Sequence, residues 1–373
     1  MPLISKTIPN NQHKLYITTK IIHQAMKKLL FIAAIALLAT SIKVNSQNAD
    51  NRYEAFGVAF YNLENLFDTI NSNGTYDLEF SPKGAKQWDG KKYWSKQANM
   101  AYAISQLTTK STPGGPAVIG VSEIENITVL QDLVKQESIR RWHLQIVHHD
   151  SPDRRGVDVG LLYNPRMFRV LNVTNTPLII PDYPSFRTRD QMCVTGLLGG
   201  EKVSIIVGHW PSRLGGQEQS SYLREAAAAL AKHIADSVLR VDPNQGIIIM
   251  GDLNDDPNDK SCAEVLGACR NKKDVTDGGF FNPWWETLDK GVGSLAYDGA
   301  WNLFDQIIIS DYFLRSNRDH LTYLNHYVHN FEFLRTKEGT RKGYPLRTFS
   351  SGAFLNGYSD HFPTQIIFAR KVK

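Results

Sequence analysis

Four apolar residues, Ile247-Ile248-Ile249-Met250, run straight into Gly251-Asp252-Leu253-Asn254, and no other stretch restricts the possible folds so sharply. A short β-branched run closed by glycine predicts a central, buried strand. Successive side chains of a strand alternate, so a carboxyl and a carboxamide two residues apart lean the same way if the extension persists. Asp252 and Asn254 are therefore expected to converge at the strand's exit. Gly-Asp is also an ordinary turn sequence, and the remainder of the chain has to decide between the two readings.

Other apolar runs stop in the same manner. Phe56 to Tyr61 leads to Asn62, with Glu64 and Asn65 just beyond, and Ala117 to Val121 leads to Ser122-Glu123. Val203 to Gly208 leads to His209-Trp210-Pro211-Ser212, and Asp305 lies within Asn302-Leu303-Phe304-Asp305-Gln306-Ile307-Ile308-Ile309. Tyr358-Ser359-Asp360-His361-Phe362-Pro363 precedes a last predicted strand, Thr364 to Phe368. A set of polar residues placed at the ends of several strands is how α/β proteins build sites.

In this order, Asn62, Glu123, His209, Asp252 with Asn254, Asp305, and Asp360 with His361 make a chain that resembles the endonuclease/exonuclease/phosphatase superfamily from roughly Tyr53 to Ala369. Its Gly-Asp-Leu-Asn and Ser-Asp-His elements are common singly and specific as a set. The resemblance implies an α/β fold of two stacked mixed β-sheets, each covered outside by helices, in a four-layer α/β/β/α sandwich with the site at its edge.

The N-terminal end is expected to be removed. Met26-Lys27-Lys28, the apolar stretch Leu29 to Ala39 and the small-residue exit Val44-Asn45-Ser46 have the pattern of a secretory signal, with Met26 as a possible start. Residues 1–46 are read as leader and signal, and 47–373 as a single domain, secreted or periplasmic. The apolar stretch is too short for a membrane span, and no stable membrane anchor is expected. The six lysines of 1–46 account for the chain's basic balance: without them 36 basic residues face 37 acidic ones, a net of −1. Net charge therefore gives no support for strong nonspecific attraction to nucleic acid, although Arg140-Arg141, Arg154-Arg155 and Arg187 with Arg189 are local candidates.

Strands are predicted near 56–61, 117–121, 143–148, 157–163, 168–174, 190–198, 202–209, 246–250, 304–309 and 364–368, and helices near 91–109, 128–138 and 220–240. Gly199-Gly200 reads as a hairpin turn and makes its flanking strands antiparallel. The alanine-rich helix 220–240 is expected to pack outside the sandwich and carry no chemistry.

Phosphate ester hydrolysis needs charge neutralisation, an activated water and a proton for the leaving oxygen. Oxygen donors select a hard divalent ion, Mg²⁺ first, with Mn²⁺ or Ca²⁺ next. The resemblance implies Glu123 as metal ligand, with Glu125 as its rival because Ser122 stands where relatives usually have glutamine. It implies Asp360 as a second, water-mediated metal contact and Asn62 as support for the metal's water shell or a phosphate oxygen. It places His361 on the scissile phosphate with Asp305 at its other ring nitrogen, a pairing that fixes the tautomer. Asp252 would orient or deprotonate the attacking water, Asn254 would hold a phosphate oxygen, and His209 would protonate the leaving oxygen with Asp158 as its carboxylate partner. Arg187 and Arg189 are candidate phosphate clamps. The aromatic segment Phe280 to Trp285 either stacks bases, dips into lipid or packs its own rings. Cys262 and Cys269 lie beyond disulfide reach along a continuous helix, a point left open by Gly267. The expected substrate is nucleic acid, DNA or RNA, with a small or lipid phosphate ester such as sphingomyelin or an inositol phosphate as the alternative. No protein partner is inferred.

Overall fold

The computed structural model describes residues 52–71, 77–297, 299–315 and 319–372. The signal-like leader lies outside them, and Glu54–Arg370 forms one compact unit. Seventeen strands occur among the described residues: β1 (Tyr53–Leu66), β2 (Val118–Ile124), β3 (Gln145–His148), β4 (Asp158–Tyr163), β5 (Phe168–Thr176), β6 (Gln191–Leu198), β7 (Glu201–His209), β8 (Gly246–Asp252), β9 (Ala268–Cys269), β10 (Phe280–Phe281), β11 (Leu295–Tyr297), β12 (Ala300–Asn302), β13 (Asp305–Ser310), β14 (Thr322–Val328), β15 (Phe349–Ser350), β16 (Ala353–Phe354) and β17 (Thr364–Lys371). Four α-helices occur among the described residues: α1 (Gly90–Ser105), α2 (Ile127–Val134), α3 (Gln217–Val241) and α4 (Trp284–Asp289).

Two large sheets carry the unit, ordered β14-β17-β1-β2-β4-β3 and β5-β6-β7-β8-β13-β10-β9. Both are mixed: β1 runs parallel to β2 and β7 to β8, while β2 with β4 and β8 with β13 are antiparallel. The predicted two-sheet α/β sandwich is the observed architecture, and the Gly199-Gly200 hairpin joins β6 to β7 as expected.

Three apolar layers explain the stacking. Val58, Phe60 and Val118 of the first sheet share one buried cluster with Ile205, Val207, Ile248 and Met250 of the second, so the two sheets face each other across it. The opposite face of the first sheet, through Tyr61, Ile119 and Val121, packs on α1 and α2 residues such as Met100, Ile104 and Leu130. Asp89 and Asn126 cap those helices by accepting from the backbone of Lys92 and of Thr128 and Val129. On the second sheet Ile247 and Ile249 meet Ala227, Ala228, Ala231 and Ala235 of α3, whose small side chains let helix and sheet approach closely. Burial of each such isoleucine contributes about 1.5–3 kcal/mol.

Strand β14 departs from the predicted set. It is an edge strand on which Leu324, Asn325 and Tyr327 are exposed, so its apolar pattern is diluted. Two other expectations resolve here. Phe280 and Phe281 form β10, and Trp284 is buried with Nε1 donating to Ile307 O at 3.0 Å, so this segment packs its own rings rather than meeting bases or lipid. Cys262 and Cys269 are free thiols, the first buried in a single π-helical turn over Ser261–Val265 and the second beyond Gly267.

Candidate active site

The register of three adjacent strands sets the acid–base residues in one row. His209 on β7 pairs with Asp252 on β8, and Asp252 pairs in turn with Asp305 on β13. Directly opposed residues share a face of the sheet, so the three side chains stand side by side at its edge. All three are buried. From the first sheet Asn62 reaches across, its Nδ2 donating to Asp252 Oδ2 at 3.0 Å. His209 Nε2 and His361 Nε2 approach the same oxygen at 3.6 and 3.8 Å, making it the point where the two sheets converge.

His361 is held from several sides. Its Nδ1 shares a 2.6 Å hydrogen bond with Asp305 Oδ2, and Ser294 Oγ donates to that same carboxylate oxygen. Its backbone N–H donates to Ser359 Oγ at 3.1 Å, and Ser359 Oγ donates to Asn62 O at 2.7 Å. The segment before the last strand is thereby fastened to the first one.

Electrostatics separate the two histidines. Burial disfavours the imidazolium at His361, but Asp305 and Asp252 outweigh it and push this histidine well above its ordinary range. Burial, reinforced by the Arg189 and Arg155 guanidiniums, pushes His209 well below it. Burial raises Asp252 to about 6 against the opposing pull of His361. Opposite shifts in neighbouring groups assign opposite protonation states. His361 carries the proton, whereas His209 is neutral with its buried Nδ1 unpartnered.

A second, acidic half lies beside this one. Strands β1 and β2 lose register after Asn62 and Ser122, and Glu64, Asn65 and Glu123 adopt φ of 46°, 50° and 58°. Such left-handed residues cost about 1–3 kcal/mol each and persist only when their surroundings hold them. Glu123 is held by Arg155 Nη1, donating to Oε1 at 3.1 Å, and by Asn65 N, donating to Oε2 at 2.9 Å. Burial alone would raise its pKa, but the Arg155 guanidinium and protonated His361 keep the carboxyl ionised far below the usual range. Glu125 turns elsewhere, accepting from Asp68 N at 2.6 Å, so Glu123 is the carboxylate on the side of the histidines. Asp360 accepts from Arg347 Nη2 at 2.6 Å, and its Oδ1 lies 3.8 Å from His361 Nε2.

These donors suit a hard divalent ion. Glu123 and Asp360 present carboxylate oxygens on side chains 12% and 32% exposed, deep yet reachable from solvent. Asp252, Asp305 and His361 also bring one ligand atom each within 4.8 Å of one another, but the imidazole and Asp305 already satisfy each other.

Several sequence-based expectations need correction. Asn62 engages both ends of its carboxamide inside the fold, Nδ2 donating to Asp252 Oδ2 and Oδ1 accepting from Glu64 N. Asn254 does not continue the extension of Asp252: its φ is 51°, and its Nδ2 donates to Trp210 O at 2.9 Å. Asp158 is not the partner of His209. It pairs with His148 Nε2 at 3.1 Å and accepts from Ser151, because β3 and β4 are antiparallel neighbours. Arg189 is buried and donates to His209 O and Trp210 O, and exposed Arg187 donates to Pro184 O and Phe186 O. Both guanidiniums thus bond to backbone carbonyls. The α3 helix contributes more than packing, since buried Arg224 meets Asp255 at 2.6 Å and fixes the loop after Asp252.

Some residues of the site escape sequence reasoning. Ser294, Lys96 and Arg347 carry no signal, and Glu64 draws notice only for its position. Glu64 is buried and joins three neighbours: Thr348 N donates to it at 2.7 Å, Arg347 Nε at 3.2 Å, and Lys96 Nζ lies 3.5 Å away. Lys96 in turn donates to Thr348 Oγ1 at 2.6 Å and Tyr358 O at 2.5 Å, linking α1 to the segments bearing Arg347 and Asp360.

Comparison with known proteins agrees with this architecture. A family model described as Endonuclease/Exonuclease/phosphatase family matches residues 57–370. No curated protein matches the sequence. Among solved structures, TDP2 of D. rerio humanized by 14 mutations superposes with a TM-score of 0.52 at 12% identity, covering 84% of this chain and 98% of that one. D. rerio TDP2 complexed with single strand DNA product gives 0.51 at 14% identity, with coverage of 84% and 98%. A mannosyl-6-phosphatase of Bacteroides thetaiotaomicron gives 0.50 at 15% identity, with 84% and 99%. At such identities the likeness speaks for the fold alone.

Proposed function

This chain belongs to the endonuclease/exonuclease/phosphatase family, and from that premise we propose that it is an exported, Mg²⁺-dependent endonuclease hydrolysing DNA or RNA phosphodiester bonds. The coarser statement, a metal-dependent phosphoesterase, follows from family and site together. The observation that carries the reading is the buried Asp305–His361–Asp252 group standing beside the carboxylates of Glu123 and Asp360.

The residues divide the work. Asp252, raised to about 6 and oriented by Asn62, accepts a proton from water as its oxygen attacks phosphorus. Protonated His361, oriented by Asp305, gives its proton to the leaving oxygen as the phosphorus–oxygen bond breaks. Glu123 and Asp360 would hold the divalent ion, which when bound neutralises phosphate charge and orients the ester. Arg155 keeps Glu123 ionised.

A small phosphate ester is the second reading, favoured by the net charge of −1 after residue 46. The lipid version loses its main support, because the aromatic segment is packed into the fold. Plasmid DNA, single-stranded RNA, sphingomyelin and inositol phosphates assayed side by side with Mg²⁺ discriminate these substrates. Chelation should abolish turnover, and Mg²⁺ or Mn²⁺ should restore it. Full turnover with divalent ions persistently absent would sink the mechanism. Export predicts a mature N-terminus near Gln47, so finding Met1 or Met26 retained on the native protein would reject that part.

A further inference from the structure

We infer that Arg341, with Tyr297 and Tyr344, forms a subsite for a second phosphate of the substrate, one unit away from the phosphate being hydrolysed. The inference rests on the phosphodiesterase reading and narrows its substrate to molecules with successive phosphates joined to flat rings, as in a nucleic acid strand.

A cleft of 570 Å³ opens from Asp360 and is lined by Tyr297, Arg341, Tyr344 and Arg347. On the other side of the same loop a cleft of 240 Å³ shares Arg341 and Arg347 and includes Glu64 and Lys86. Two guanidiniums therefore form the ridge between them, but their circumstances differ. Arg347 is committed to the carboxylates of Glu64 and Asp360 at 3.2 and 2.6 Å. Arg341 is exposed, its Nη1 donates at 2.8 Å to the neutral Ser350 Oγ, and no carboxylate pairs with it among the described residues. Its charge is thus available to a ligand. A guanidinium grips phosphate oxygens through paired N–H donors, and this one looks into a cleft that ends on the catalytic segment.

The walls of the larger cleft suit a ring. Tyr344 packs edge-on against Trp301 with centroids 5.3 Å apart, and Trp301 stacks on Phe362 at 6.0 Å. Phe362 adjoins His361, so a rigid aromatic ladder runs from the catalytic histidine to the cleft's outer wall. Tyr297, on the β11–β12 hairpin, lines the same cleft and is 74% exposed, leaving its ring accessible to a ligand. Stacking on an open aromatic face is how single strands are held without regard to base identity. The loop itself is braced, Thr336 N donating to Tyr344 O at 2.7 Å and Gly343 N to Thr336 O at 2.9 Å. Arg341 therefore projects from a supported loop, and 570 Å³ is in the range that encloses one compact ligand unit.

The test uses the full chain with Mg²⁺ and three substrates: bis(4-nitrophenyl) phosphate, the dinucleotide TpT, and pTpT, whose 5′ phosphate neighbours the scissile diester. Arg341→Gln should raise KM for pTpT about tenfold or more with kcat unchanged, and shift KM for the other two by less than about twofold. Tyr297→Ala should weaken both dinucleotides and spare bis(4-nitrophenyl) phosphate. Equal effects of Arg341→Gln on all three substrates, or none on any, overturn the inference. Calorimetric binding of pTpT in the presence of chelator separates this failure from that of the catalytic reading. A wild-type chain that hydrolyses bis(4-nitrophenyl) phosphate but binds pTpT no better than Arg341→Gln loses the subsite and keeps the hydrolase. One that binds pTpT through Arg341 and cleaves nothing keeps the subsite and loses the hydrolase.

Discussion

Replacing His361 with alanine is expected to lower turnover by about a hundredfold or more, with Asp305→Ala nearly as severe and the double variant little worse than the worse single. The two side chains share a buried 2.6 Å hydrogen bond, and Ser294 holds the same carboxylate oxygen, so removing either residue disables one unit. Single-turnover rates and thermal melts on the three variants check this. Multiplicative losses would mean independent action, and wild-type rates in His361→Ala would remove the central residue of the reading. Asp305→Asn adds a signature that a purely structural pair lacks. Asp305 is the strongest influence raising His361, so without its charge the histidine should lose its proton at lower pH. The alkaline limb of the rate profile should therefore move toward acid.

Lys96→Met is expected to destabilise the fold by about 3–5 kcal/mol at neutral pH, the scale for stranding a buried charge. Lys96 and Glu64 have side chains only 1% and 6% exposed, and removing the lysine leaves the carboxylate inside with less compensation. The double variant Lys96→Met with Glu64→Gln should recover much of the loss, a coupling that denaturant midpoints measure directly. The pH dependence has a definite sign. Burial and then Asp360 already raise Glu64 above 4.5, and losing Lys96 raises it further. A carboxyl whose folded pKa lies above its unfolded one binds its proton more tightly in the fold, so stability falls as pH rises from about 4.5. The deficit of Lys96→Met should therefore be small near pH 4 and grow as pH rises toward neutrality. A deficit that is flat with pH, or a double variant as unstable as the single, would refute the coupling.

What could be read from the sequence was what lies along one strand. Ile247 to Met250, Val203 to Gly208 and Ile307 to Ile309 announce themselves as buried strands, and the polar residue at each end then has little choice of position. The row His209–Asp252–Asp305 follows from strand pairing once those ends are correctly located. Residues whose meaning comes from a distant partner were not legible. Glu64 meets Thr348 across 284 positions, and Lys96 meets Tyr358 across 262, separations over which no periodicity connects them. Asp158 illustrates the opposite error. Chemistry suggested the catalytic-looking His209, yet the antiparallel pairing of β3 with β4 delivers His148, ten residues away. Asn254 departs because the backbone leaves extension one residue earlier than the alternating pattern requires, its N–H turning back to Asp252 Oδ1 at 3.1 Å.

The fastening of Ser359 to Asn62 joins positions 297 apart, and β17 lies between β14 and β1 within its sheet. Contacts this remote form late, since the intervening chain must first be brought to order. A growing polypeptide therefore emerges from the ribosome with Asn62, His209 and Asp252 made but with neither His361 nor the strand that carries it home. A premature stop before His361 would yield a fragment with neither that histidine nor the strand that anchors it beside Asn62.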